Sequence, residues 1–122
     1  MNTANLKRLF ASDKLKLGHS IFEFNSSGVG QIICTAGCDF GFLDMEHSGF
    51  GIAETKRAIA GLRVGGIPAL VRPPSKEYNH IARALDIGAD GVILPMVASG
   101  EEAEYIIDCM KYPPQGNRGV AL

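Results

Sequence analysis

The chain has 122 residues, 46% of them hydrophobic and 20% charged, with a formal net charge of −1 at pH 7. That size holds one domain with a real core and hardly two, and the composition is globular rather than disordered. Near-neutral, interspersed charge excludes a basic nucleic-acid footprint, and no apolar run reaches the length needed to span a bilayer. The opening residues, Met1 to Lys16, are polar and of mixed charge, without a secretory apolar region. A cytoplasmic protein that contacts neither nucleic acid nor membrane is expected.

Beyond that start, apolar runs alternate with amphipathic segments. Leu15 to Phe24 reads as a first strand, and Ser26 to Ala36 as a short helix with Ser26 or Ser27 as its cap. Asp39 to Asp44 is a second strand, followed by a helix over Ile52 to Val64. Ile67 to Arg72 is a third, with a helix over Lys76 to Ile87 behind it. Gly91 to Leu94 is a fourth, and Glu101 to Tyr112 the last helix. Ala58, Ile59 and Leu62, like Ile81, Ala84 and Leu85, recur at the three-and-four spacing of a buried helix face. Gly37, the pair Gly65-Gly66 and Gly88 each stand between a helix and the next strand, where a left-handed residue ends a helix.

Nearly continuous apolar strands separated by helices predict a parallel sheet covered on both faces, hence an α/β fold of four successive βα units. Four is fewer than the five strands of a flavodoxin-like sheet, and a closed (β/α)8 barrel needs roughly 200 residues or more. The chain also stops at Gly119-Val120-Ala121-Leu122, as a further strand would begin. It is either half a barrel or part of a longer protein, and the second is favoured. Cys34, Cys38 and Cys109 form no disulfide framework or complete metal set and are read as small buried hydrophobes.

The chemistry concentrates at strand ends. The run Phe40 to Leu43 finishes in Asp44, Glu46 and His47, and the third strand finishes in Arg72 before two prolines. Parallel α/β proteins hold their reactive groups at the carboxyl ends of strands. An imidazole suits proton transfer near neutral pH, and a guanidinium holds a carboxylate in a bidentate fork. Each has a plainer reading: Asp44 as a cap or lysine partner, Glu46 as a solvated loop residue, His47 as a surface histidine. A charge at the end of an apolar strand is costly unless used, so Arg72 is the hardest to explain without function.

Four motifs stand in order: Phe40-Gly41-Phe42-Leu43-Asp44-Met45-Glu46-His47; Ala69-Leu70-Val71-Arg72-Pro73; Leu85 through Val97; and Lys111-Tyr112-Pro113-Pro114-Gln115-Gly116-Asn117-Arg118-Gly119. The series resembles the HpcH/HpaI aldolase family from about Gly18 to Gly119. The resemblance implies the first four βα units of a (β/α)8 TIM barrel of the phosphoenolpyruvate/pyruvate superfamily, with residues 1–122 the amino-terminal half of one domain. It implies reversible cleavage of a 4-hydroxy-2-oxo acid to pyruvate and an aldehyde. The family's catalytic histidine matches His47, its pyruvate-binding arginine matches Arg72, and the acid that orients the histidine matches Asp44. Glu46 and Arg118 are added as substrate contacts, Arg118 for a carboxylate at the mouth of the site. A divalent metal (Mg2+, Mn2+ or Co2+) is implied, but its Glu and Asp ligands match positions beyond Leu122, so no metal residue is assigned in this chain. A homo-oligomer is implied as well.

The remaining candidates carry less. His19 is placed early in the first strand, away from the reactive end, and His80 on the solvent face of its helix. Glu23 could reach the site from the first strand. Gly28-x-Gly30 lacks the third glycine of a dinucleotide fingerprint. Glu101, Glu102 and Glu104 form a helix first turn that favours acids. Two other readings stand beside the aldolase: a lyase like the citrate lyase β-subunit, and a non-catalytic half-barrel that self-associates through open strand edges.

Overall fold

The alternation of apolar runs and amphipathic segments is realised in a computed structural model, which describes residues 3–120. A helix α1 (Thr3–Phe10) precedes β1 (Gly18–Ile21), α2 (Val29–Thr35), β2 (Phe40–Asp44), α3 (Ile52–Val64), β3 (Ala69–Arg72), α4 (Tyr78–Asp86), β4 (Gly91–Val92) and α5 (Gly100–Met110). The strands form one sheet in the order β1-β2-β3-β4, each parallel to its neighbour. Chain order and spatial order coincide, with no reversal of the kind that makes a doubly wound sheet. This is the winding of a (β/α)8 barrel through its first four units.

Burial follows position in the sheet. Residues of β2 and β3, flanked on both sides, are largely buried, whereas β1 at the margin buries only Ile21. Leu43, Val71, Ile59 and Leu62 are almost completely buried at the centre of the core, with Ile33, Ala58, Ala69 and Ala84 around them. A side chain of that size contributes about 1.5–3 kcal/mol when taken from water. A second cluster joins α4 to α5 through Ile81, Ile106 and Cys109. Helices α2 and α3 touch through backbone: a Cβ on Gly30 would overlap the Gly61 carbonyl.

Helix α3 has the bounds read from the sequence, and Gly37, Gly66 and Gly88 hold positive φ at the helix-to-strand returns. Other boundaries move. β1 is shorter than Leu15 to Phe24, because only Gly18–Ile21 pairs with β2, and Leu15 and Phe24 are exposed. β2 starts at Phe40, β3 at Ala69, and β4 ends at Val92. α2 begins at Val29 after Gly28, and neither Ser26 nor Ser27 caps it through a side chain. α4 begins at Tyr78 and ends at Asp86, because Ser75 Oγ accepts the Glu77 N–H at 3.1 Å and the chain turns before the helix. α5 runs from Gly100 to Met110, capped by Ser99, whose hydroxyl accepts from the Glu102 N–H at 3.1 Å.

Helix α1 goes beyond the elements expected from the sequence, where the opening residues are polar and of mixed charge. Its Phe10 ring meets Phe40 at a centroid distance of 5.5 Å, and Leu6 lies over Gly91. Both contacts fall on first residues of strands, so α1 covers the amino-terminal end of the sheet. Of the cysteines, Cys109 is buried and Cys38 half-buried, but Cys34 is exposed on the outer side of α2, against the expectation of three buried groups. The strand anticipated at residues 119–122 lies partly outside the described residues. Among the described residues, no helix is long and apolar enough to cross a membrane.

Candidate active site

Because β2 and β3 run parallel, their last residues arrive at the same end, and register makes Asp44 and Arg72 direct partners. Asp44 is fully buried, which is tolerable for a charge only when its oxygens are satisfied. Oδ1 accepts from Arg72 Nε at 2.8 Å, from the Glu46 N–H at 2.9 Å and from the His47 N–H at 3.2 Å. Oδ2 accepts from Arg72 Nη2, completing a bidentate pair. The Ser48 hydroxyl donates to the Asp44 carbonyl, and the Arg72 carbonyl accepts from the Met45 N–H at 2.9 Å. The turn after β2 is thereby bound to the end of β3.

The Arg72 guanidinium, together with the two backbone N–H groups, holds the Asp44 carboxyl down to about 2 despite its burial. Asp44 in turn raises the Arg72 pKa. The guanidinium lies 5.6 Å from the centroid of the Phe42 ring, two register positions back on β2, a contact not anticipated from the sequence. Pro73 is fully buried behind it. The bonds to Asp44 occupy Nε and Nη2, so the Nη1 side of the partly exposed guanidinium remains available to a ligand carboxylate.

A folded-state pKa below the unfolded one gives stability that is present above the unfolded value and is lost as pH falls toward the folded one. For Asp44 that window runs from about pH 4 down to about pH 2, and about 2 kcal/mol is at stake. Thermal unfolding followed by circular dichroism should show this acid limb, and Asp44→Asn should flatten it while lowering stability above pH 5.

The other site residues are placed less uniformly. Glu46 is not a solvated loop side chain: it is 26% exposed, and its Oε2 lies 3.3 Å from Arg72 Nε and 3.7 Å from His47 Nε2. His47 is 70% exposed. The expected hydrogen bond from its imidazole to Asp44 is not made. Asp44 is fully buried against Arg72 and reaches only the His47 backbone, while the imidazole is turned largely to solvent. Arg118 is not at this end. It donates to Asp86 Oδ1 through Nε at 3.2 Å and Nη2 at 2.5 Å, and lies over the Tyr112 ring at 4.6 Å. Asp86 closes α4, the end of the helix remote from the end of β3, so in this structure Arg118 is not brought together with Arg72.

His80 is not on a solvent face; it is half-buried, with Nδ1 2.7 Å from Ser75 Oγ. His19 and Glu23 line a cleft of about 590 Å³ beside β1, together with Phe22, Phe24, Ile32 and Ile33. A rim contact also escaped the sequence: Lys76 pairs with Glu102 and donates to the Met96 carbonyl at 3.0 Å, tying the loop after β3 to the loop after β4. Lys76 holds the Glu102 carboxyl below its ordinary value, so Glu102 does more than favour a helix dipole. No signal within one segment announces that partnership.

Among the described residues, no group of three or more His, Cys, Asp and Glu side chains converges to hold a metal. Asp44 and Glu46 are turned toward Arg72. The described residues do not by themselves constitute a divalent-cation site.

The family model described as HpcH/HpaI aldolase/citrate lyase matches residues 24–122. A hydroxypyruvate/pyruvate aldolase of Sagittula stellata is 38% identical over 101 residues, covering 80% of this chain and 39% of the relative. An HpcH/HpaI aldolase of Desulfitobacterium hafniense superposes with a TM-score of 0.87 at 32% identity, over 95% of this chain and 45% of that one. An HpcH/HpaI aldolase/citrate lyase family protein of Burkholderia cenocepacia gives 0.84 at 26% identity, over 99% and 49%. The chain spans less than half the length of these relatives.

Proposed function

From a chain that belongs to the HpcH/HpaI aldolase/citrate lyase family and carries the first four βα units of its barrel, we propose that the whole protein cleaves a 4-hydroxy-2-oxo acid reversibly to pyruvate and an aldehyde. The supporting observation is the Asp44–Arg72 pair, which anchors a guanidinium at the strand end beside His47 with one side left for a carboxylate. In the cleavage direction the substrate carboxylate docks on Arg72. His47 takes the 4-hydroxyl proton, directly or through a water, as the bond between C3 and C4 breaks. The carbonyl of the aldehyde forms, and the electron pair passes to the 2-oxo group as an enolate. Protonation at C3 then releases pyruvate. Arg72 opposes the charge on the pyruvate half throughout.

The family resemblance adds a divalent cation, which when bound supplies a Lewis acid for the 2-oxo acid. Its implied ligands match no position in this chain. On this reading a protein of these 122 residues alone releases no pyruvate. The whole enzyme works as a homo-oligomer, and the exposed apolar residues Phe22 and Phe24 beside β1 and Val97 after β4 fit burial against further protein.

The test is pyruvate release, coupled to lactate dehydrogenase, from a panel of 4-hydroxy-2-oxo acids with and without Mg2+, Mn2+ or Co2+. Turnover that a chelator abolishes and metal restores supports the reading. Absence of release from every acid and metal overturns it.

A further inference from the structure

Met96, in the loop after β4, has a φ of 54°, in the left-handed region that a methionine adopts only when its surroundings impose it. Here one ion pair imposes it. Lys76 Nζ donates to the Met96 carbonyl at 3.0 Å and pairs with Glu102 Oε1. The other Glu102 oxygen accepts from the Ala98 N–H at 2.7 Å, so the loop is gripped on both sides of Val97. Lys76 in turn follows Arg72 across Pro73 and Pro74, whose rings fix φ. The Ile93 N–H donates to the Val71 carbonyl at 2.9 Å, so the loop leaves β4 beside the end of β3. These contacts hold main chain, and the Met96 side chain itself is 87% exposed. Strain maintained around a side chain with no packing duty points to a ligand.

We propose that Met96 is a specificity-determining residue that meets the aldehyde half of the substrate, and that Lys76 and Glu102 are its positioning residues. With the carboxylate of the 2-oxo acid on Arg72, the part of the substrate beyond C4 reaches the loop after β4. A thioether on an unbranched stem is apolar, adaptable and polarizable, and it offers no strong donor or acceptor. Lys76, the cation of this rim, is engaged by Glu102, and Arg118 is held by Asp86. The substrate class that follows is a 4-hydroxy-2-oxo acid whose aldehyde half ends in an alkyl group rather than a second carboxylate. This assignment rests on the proposed cleavage.

Two measurements on the whole protein test it. The first compares kcat/KM for 4-hydroxy-2-oxoheptanoate with that for the acid of equal length ending in a carboxylate. The alkyl acid should be preferred by about 10-fold or more. Met96→Gly suits the left-handed backbone and keeps the tie, so it should reduce that preference about 5-fold and leave pyruvate affinity within about 2-fold. Lys76→Met should reduce the preference to a similar extent, Lys76→Arg should restore part of it, and Lys76→Met added to Met96→Gly should cost no further preference. Preference for the second carboxylate, an unchanged preference in Met96→Gly, or a further loss in the double variant overturns the proposal. The second measurement is the 13C resonance of the Met96 methyl group. It should shift on addition of 2-oxoheptanoate, which lacks the 4-hydroxyl and cannot be cleaved, and stay in place with pyruvate; no shift overturns the contact. If no acid is cleaved, the reaction is wrongly assigned, and this resonance alone still judges the contact.

Discussion

Replacing Arg72 by alanine is expected to destabilise the protein by about 3–5 kcal/mol and to abolish pyruvate binding, both from one truncation. The stability loss comes from Asp44, whose carboxyl is fully buried and would be left without its bidentate partner. The binding loss comes from the vacated guanidinium. The two effects separate by design. Arg72→Lys preserves a positive charge but not the planar fork, so it should recover part of the stability and little of the binding. Replacing both members together, as Asp44→Leu with Arg72→Met, removes the buried charges entirely. It should therefore be less destabilising than Arg72→Ala alone, while binding stays lost. Urea midpoints and calorimetric titration with pyruvate check these outcomes. Pyruvate binding by Arg72→Ala with undiminished affinity would remove the residue from the site.

His47→Ala should behave in the opposite way. The side chain is 70% exposed and makes no contact that the core depends on, so stability should change by no more than about 0.5 kcal/mol. Turnover should fall about 10²–10⁴-fold, the range associated with loss of a general base. Pyruvate affinity should persist, because the proposed docking group is Arg72. The pair of variants thus forms a contrast: one loses structure and binding, the other loses only the chemical step. A His47→Ala enzyme within about threefold of the original kcat would assign the base elsewhere.

How far the sequence could be read depended on the range of each interaction. Features set by nearby residues were legible: the apolar spacing of α3, the glycines that close helices, and strand ends carrying Asp44 and Arg72. Helix starts were off by a few residues where a side chain such as Ser75 reorganised the turn. What could not be read was pairing across the sheet. Arg72 is 28 residues from Asp44, and Arg118 is 32 from Asp86, so which acid takes which base is decided by register and helix placement. The resemblance brought Asp44 to His47, but Arg72 arrives first and takes the carboxylate. Helix α1 was missed because its value lies in covering strand beginnings, a role visible only once the sheet exists.

The partnership of Asp44 with Arg72 also bears on how the sheet finds its alignment. Parallel strands of small apolar residues are poorly distinguished from one another by shape, and Gly41, Leu43, Ala69 and Val71 would pack tolerably in several shifted alignments. Shifting β2 against β3 by a single position turns one of the two charges to the opposite face and leaves the other in the core without a counter-ion. The penalty falls on the misaligned sheet rather than rewarding the aligned one. The charged pair thereby acts against near misses of alignment that hydrophobic contact alone would accept.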